Sequence, residues 1–178
     1  MIKDIENVEL QYLTLDDYEE FKKVMIEVYS NMPNSYWREF HIKSLIEKFP
    51  EGQVIIKVNG ELAGCALSII LDYDAFDEHH TYAEITGDFT FDTHSDEGDV
   101  LYGIDVFIKS KFRGLRLGRR LYDYRKELCE RLNLKGIAFG ATIVQIHKAG
   151  SSFLLAKMCS QYCWLCSKMF CSWKIVLS

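Results

Sequence analysis

No stretch of this chain holds the roughly 18 uninterrupted apolar residues that a membrane-spanning helix requires. A helical membrane protein is therefore not expected. The opening residues, Met1-Ile2-Lys3-Asp4-Ile5-Glu6, mix charges and lack an apolar segment, so they do not read as an export signal, and the expected location is cytoplasmic. An excess of positive charge is missing too. The net charge of −5 argues against a protein whose main task is to neutralise nucleic-acid phosphates. Two phosphate-binding signatures are absent: G-x-x-x-x-G-K-[ST] is not found, which removes a P-loop, and neither is G-x-G-x-x-G, which disfavours a dinucleotide fold.

Positive charge is also absent locally. Between Lys57 and Lys109 there is no Lys or Arg, whereas Asp72, Asp74, Asp77, Glu78, Asp88, Asp92, Asp96, Glu97 and Asp99 accumulate. This acidic segment has two readings, a solvated loop or a surface that attracts a cationic substrate. Cysteines are few before the tail, where only Cys65 and Cys129 occur, and then Cys159, Cys163, Cys166 and Cys171 follow in quick succession. Without an export signal these are expected to be reduced thiols. The tail run lacks the two separated knuckles of a structural zinc site, so no metal is expected.

What is present suits one domain: 178 residues, 48% of them hydrophobic and 13% aromatic, are enough for one sizeable core. Residues 8–15 read as a first strand. Thr14-Leu15-Asp16-Asp17 has the form of a capping box, and Tyr18, Phe21, Val24, Met25, Val28 and Tyr29 follow at helical spacing. Ser35 opens a second predicted helix, with Tyr36, Trp37, Phe40, Leu45, Ile46 and Phe49 as its apolar face and Pro50 as its stop. Two β-rich runs, 53–58 and 61–71, flank Asn59-Gly60, the strongest short-range hairpin signal because both turn residues accept positive φ. Residues 72–99 form a long connection, with a short strand expected at 85–91. A strand at 100–108 leads into a helical pattern from Arg113, with Leu117, Leu121, Tyr124, Leu128 and Leu132 on one face, and then into a short apolar strand at 136–140. The last three elements make a β-α-β unit.

The chemistry is concentrated where that unit turns. The first amides of a helix lack internal partners and its dipole favours negative charge, so strand, tight basic turn and helix together form an anion site. Gly114 and Gly118 allow close backbone approach, while Lys109, Lys111, Arg113, Arg116, Arg119 and Arg120 surround the turn with positive charge. Three or four charge-assisted bonds at roughly 1.5–3 kcal/mol each would reach the about 8 kcal/mol of micromolar binding.

The turn Arg113-Gly114-Leu115-Arg116-Leu117-Gly118 resembles motif A of the GNAT superfamily, [Q/R]-x-x-G-x-[G/A], placed directly after a fourth strand. Arg116 stands where that pattern has Gly. The order of elements over residues 8–140 matches as well. The longer stretches Tyr102-Gly103-Ile104-Asp105-Val106-Phe107-Ile108 and Phe112 to Tyr122 are similar to the GNAT half of bacterial proteins that fuse such a domain to a carbon–nitrogen hydrolase. The resemblance implies an α/β (α+β) fold: a mixed, mostly antiparallel sheet flanked by helices, with residues 1–140 as the acyl-CoA-binding domain and 141–178 as a divergent Cys-rich tail, either apart from that domain or completing it.

It also implies N-acetyl transfer from acetyl-CoA to a primary amine, with the pantetheine arm paired to the backbone of Val106 and Ile108 and the pyrophosphate held by Arg113, Gly114, Leu115, Arg116, Leu117, Gly118 and Arg119. A homodimer is compatible with it. An ammonium of pKa near 10.4 costs roughly 4–5 kcal/mol to deprotonate at neutral pH, so a base is wanted. Glu84, Asp105, His94 and Tyr102 are the candidates, each with an ordinary structural role as the alternative. The family's Tyr acid after the fifth strand has no clear counterpart here, with Tyr162 in the tail as a bare candidate. A non-catalytic acyl-CoA-binding module is the competing expectation.

Overall fold

The computed structural model describes residues 7–32, 34–76 and 80–139, and the backbone of 142–145. Among the described residues, six strands form one mixed sheet in the order β1-β2-β3-β4-β5-β6: β1 Val8–Tyr12, β2 Gln53–Val58, β3 Glu61–Leu71, β4 Val100–Ile108, β5 Gly136–Phe139 and β6 Thr142–Gln145. Every neighbouring pair is antiparallel except β4 and β5, which are parallel. The helix between those two strands, α4 (Leu117–Arg131), supplies the crossover that a parallel pair requires.

The β2–β3 hairpin forms at the expected residues. Asn59 at φ 50° and Gly60 at φ 81° both take the left-handed conformation that matches the twist of the flanking strands. β3 is buried on both faces. Leu62, Cys65, Leu67, Ile69 and Leu71 join the core beneath α1 (Tyr18–Val28) and α2 (Glu39–Lys48), whereas Ala63, Ala66 and Ile70 pack on the α4 side. The sheet is thus the middle of three layers.

Before α1, Asp17 bonds back to the Thr14 amide (3.1 Å) and hydroxyl (2.7 Å), the local closure that the capping pattern announces. Four of the apolar positions that follow, Tyr18, Phe21, Val24 and Met25, are buried.

Three expectations are corrected. The second helix starts at Glu39 rather than Ser35, and Phe40 is 66% exposed. Ile42 and Leu45 carry its buried face, while Trp37 is buried from the segment before it. No strand forms at 85–91. Instead a one-turn helix, α3 (Tyr82–Ile85), is followed by Asp88, Phe89 and Phe91 at positive φ, a series incompatible with an extended run; Phe91 is fully buried. On α4, Leu132 lies at the exposed end and Arg125 occupies the buried stripe.

Candidate functional site

β4 is paired along its whole length to β3, from Leu71↔Val100 to Gly64↔Ile108, but its parallel ladder with β5 runs only from Val100↔Gly136 to Gly103↔Phe139 among the described residues. Beyond Gly103, Ile104 to Ile108 continue without a β5 partner among the described residues. One irregularity marks the point of departure. Leu67 pairs with Asp105 and Ser68 with Gly103, so Ile104 is an extra residue, a β-bulge in β4.

β4 then enters the basic turn. After a short 3-10 turn at Ser110–Phe112, Arg113 is extended, Gly114 has φ 89° and Arg116, the N-cap of α4, has φ 56°. Gly114 is required by that angle, and a Cβ there would meet nothing within 4 Å, so the turn is open on its outer side. The first bond closing the helix is from the Arg120 amide to the Arg116 carbonyl, 3.3 Å. The amides of Leu117, Gly118 and Arg119 are therefore without helical acceptors. A Cβ on Gly118 would come 3.9 Å from Cγ1 of Ile108, which puts the helix start against the end of β4. Val106 and Ile108 are only partly buried there.

The expected ring of positive charge is thinner than the sequence suggests. Lys109 bonds Glu61 (2.8 Å) and Glu27 (3.1 Å), and Lys111 bonds Glu61 (2.5 Å), so these two cations are satisfied by carboxylates. Arg119 stands 3.7 Å from Asp123. Arg113, Arg116 and Arg120 have no ion-pair partner among the described residues. In the acidic connection, Asp99 (2.5 Å) and Asp74 (3.7 Å) face Lys135, and Asp92 bonds Lys48 at 2.7 Å. Asp77, Glu78 and the tail residues Cys159, Tyr162, Cys163, Cys166 and Cys171 lie outside the described residues. Among those described, no group of His, Cys, Asp or Glu is arranged to hold a metal ion, and no helix is long and apolar enough to cross a membrane.

The four candidate bases separate clearly. Asp105 is 4% exposed on β4, next to the bulge, and its two oxygens accept from the Tyr29 hydroxyl (2.7 Å) and the Trp37 indole (3.0 Å). Burial pushes its carboxyl above the usual range, against the opposing pull of those two bonds, the Val106 amide and the charge of Arg125. Glu84, the third residue of α3, closes a capping box with the N-cap Thr81. It bonds the Thr81 amide at 2.6 Å, and the backbone and side chain of Thr81 hold its carboxyl below the usual value. Tyr102 is 1% exposed within the main core, its ring 6.4 Å from that of Tyr82. His94 is stacked on Phe49, accepts the Ile70 amide at 3.0 Å through Nδ1 and meets Asp96 at 3.2 Å through Nε2.

Two groups at the bulge escape sequence reasoning. The Tyr82 hydroxyl donates to the carbonyl of Ile104, 2.8 Å. Arg125 reaches from α4 to the carbonyls of Leu67 (2.8 Å) and Asp105 (2.9 Å). The available signal for the second was an arginine four residues after Leu121 on an otherwise apolar stripe.

Comparisons with known proteins bear on the family and the fold. The model of the acetyltransferase (GNAT) family matches residues 12–149. The Bacillus subtilis (strain 168) protein named Probable hydrolase YhcX is 40% identical over 112 residues, which are 63% of this chain and 22% of that protein. The Uncharacterized N-acetyltransferase YkwB of the same strain is 28% identical over 112 residues, 63% of this chain and 50% of that protein. The chain thus spans half or less of the length of these relatives. Among solved structures, the GphF GNAT-like decarboxylase in complex with isobutyryl-CoA has a similar fold, with a TM-score of 0.59, 12% identity and coverage of 75% of this chain and 64% of that one.

Proposed function

This chain belongs to the acetyltransferase (GNAT) family, and from that premise we propose that it transfers an acetyl group from acetyl-CoA to a primary amine of a small molecule or protein. The observation that carries the reading is one continuous feature. Among the described residues, β4 outlasts its ladder with β5 at Gly103 and runs into an open left-handed turn whose first helical amides lack helical acceptors.

The donor set fits an acyl-coenzyme A. The backbone of Val106 and Ile108 offers strand-type pairing to an extended amide-bearing arm. The turn 113–118, with Arg113, Arg116 and Arg119 around the amides of Leu117 and Gly118, offers donors to a pyrophosphate; Gly114 and Leu115 form its open outer side. The bound thioester supplies the activated acyl group. The chain must then help the acceptor ammonium to lose its proton. Asp105 suits that task better than Glu84: burial raises its proton affinity, and Tyr29 and Trp37 fix both oxygens, whereas Glu84 is exposed, locally bonded and made a weaker base. The engagement of both Asp105 oxygens is also what favours the second reading, a non-catalytic acyl-CoA-binding module.

Calorimetric titration of acetyl-CoA into the folded chain and into Gly118→Glu tests the cofactor site. Gly118 is helical and its Cβ position is uncrowded, so the variant is expected to fold. Micromolar binding by the parent and its loss in the variant are expected; a folded parent that does not bind would overturn the site. Thiol release in an amine screen then separates enzyme from module.

A further inference from the structure

Arg125 and Asp105 are the two charged side chains among the described residues that fall in the buried class, at 1% and 4% exposure. They meet at the β4 bulge from opposite faces of the sheet. Arg125 stands on the stripe of α4 that otherwise buries Leu117, Leu121, Leu128 and Cys129. Its path crosses β4 at Gly103, where a Cβ would come 3.2 Å from Nη1 and 2.4 Å from the ring of Phe139. The guanidinium carbon lies 5.2 Å from the centre of that ring and 5.9 Å from that of Tyr122, so aromatic faces take the place of water around the cation.

At the end of this path the fork does what the ladder cannot. Leu67 and Asp105 are register partners, and both of their carbonyls accept from Nη2, at 2.8 and 2.9 Å, while Nε donates to the Ser68 hydroxyl at 3.1 Å. The extra residue Ile104 interrupts the regular strand bonds at this point, and buried carbonyls need donors. Arg125 provides three bonds in one rigid plane, which a flexible point charge such as Lys does not reproduce. Asp105 is thereby held twice, its carbonyl by α4 and its carboxylate by Tyr29, at the C-cap of α1, and by Trp37.

We propose that Arg125 is the positioning residue of the acyl-transfer site, tying the helix that begins at the cofactor turn to the bulge that aims Asp105. This rests on the acyl-transfer reading given above. The groups that face Asp105 are Tyr29 just after α1, Trp37 before α2, Cys65 on β3 and Arg125 on α4. Arg125 supplies the positive charge among them, so its removal makes the ionised carboxylate harder to maintain.

The test reads Asp105 through Trp37, whose indole N–H donates to it. A pH titration of that resonance in 15N-labelled chain, assigned with Trp37→Phe, needs no acceptor and no turnover, so it decides the proposal even if the acetyltransferase reading fails. In Arg125→Met the midpoint is expected to rise by about one unit. In Arg125→Lys, which keeps the charge and loses the fork, the midpoint should stay near the parent's while exchange of the indole proton quickens by about tenfold through local opening. Where an amine substrate is found, the acidic limb of the pH–rate profile should move with the midpoint in Arg125→Met. A folded Arg125→Met with the parental midpoint would overturn the proposal. If that variant does not fold, parental indole exchange in Arg125→Lys would overturn it instead.

Discussion

Asp105 opposes stability at neutral pH through the same burial that suits it to the base role proposed for it. Its carboxyl is held above the ordinary value chiefly by burial. A group with a raised folded pKa contributes stability that is present below its unfolded value, about 3.9, and lost as pH rises through the folded one. Replacing it by Asn keeps the shape and removes the buried charge. Asp105→Asn is therefore expected to gain stability relative to the parent at pH 7 and to converge with it near pH 3, as read by urea unfolding at both values. An equal difference at the two pH values would contradict this account. With an amine substrate in hand, kcat/KM should fall by about 10²–10⁴-fold, the range that general base catalysis supplies. Glu84, the alternative carboxylate, only closes the capping box of α3, and Glu84→Gln should leave the rate near the parent's.

The start of α4 is the corresponding case at the scale of an element. Arg116 adopts φ 56° as N-cap, where the family pattern has Gly and where an L side chain is strained. Left-handed backbone costs a non-glycine residue roughly 1–2 kcal/mol, partly offset because Gly loses more freedom on folding. Arg116→Gly is thus expected to raise stability by up to about 1 kcal/mol. It also removes a cation that has no ion-pair partner among the described residues, so acetyl-CoA binding should weaken severalfold. Thermal unfolding and calorimetry on the same preparation separate the two effects. A variant that is stabilised and binds as tightly as the parent would show that the side chain makes no contact with the ligand. The turn itself was legible in the residues because glycine and arginine have local consequences. The pairing of Lys109 and Lys111 with Glu61 was not, because those partners stand some fifty residues apart and meet through the β3–β4 register.

Across the whole molecule the ion pairs act in the opposite sense to Asp105. Asp17, Glu61 and Asp99 have carboxyls held below their ordinary values. In Asp17 burial opposes the shift but the bonds from Lys57 and Thr14 outweigh it. In Glu61 the bonds from Lys109 and Lys111 lead. In Asp99 burial is again outweighed, by Lys135 and the Tyr73 amide. A depressed carboxylate contributes stability that is present above its unfolded pKa, about 4, and lost as pH falls through the folded value. The urea midpoint is therefore expected to hold between pH 6 and 8 and to drop below about pH 4; a midpoint unchanged down to pH 2 would refute it. The pairs join the residue before α1 to β2, β3 to the residue after β4, and the acidic connection to the residue before β5, so acid loosens the sheet from several sides together.

The amino-acid sequence determined what depends on neighbours along the chain. The Asn59-Gly60 hairpin, the bounds of β2, β3 and β4, the amphipathic α1 and the glycine-bearing turn before α4 all follow from periodicity, φ preference and capping over a few residues. It also determined the family, since motif and element order are both linear patterns. Tertiary structure alone decided the rest. Phe91 is drawn into the core by a series of left-handed residues that hydrophobic pattern had suggested as a strand. The bulge at Ile104 arises from the register between β3 and β4, and Arg125 is buried because that bulge leaves carbonyls to be satisfied. Asp105 differs from Glu84 for the same reason: one faces Tyr29, Trp37 and a buried guanidinium from three distant segments, the other only its own turn. Desolvation and long-range hydrogen bonding depend on what the fold brings near, and no local window of residues contains them.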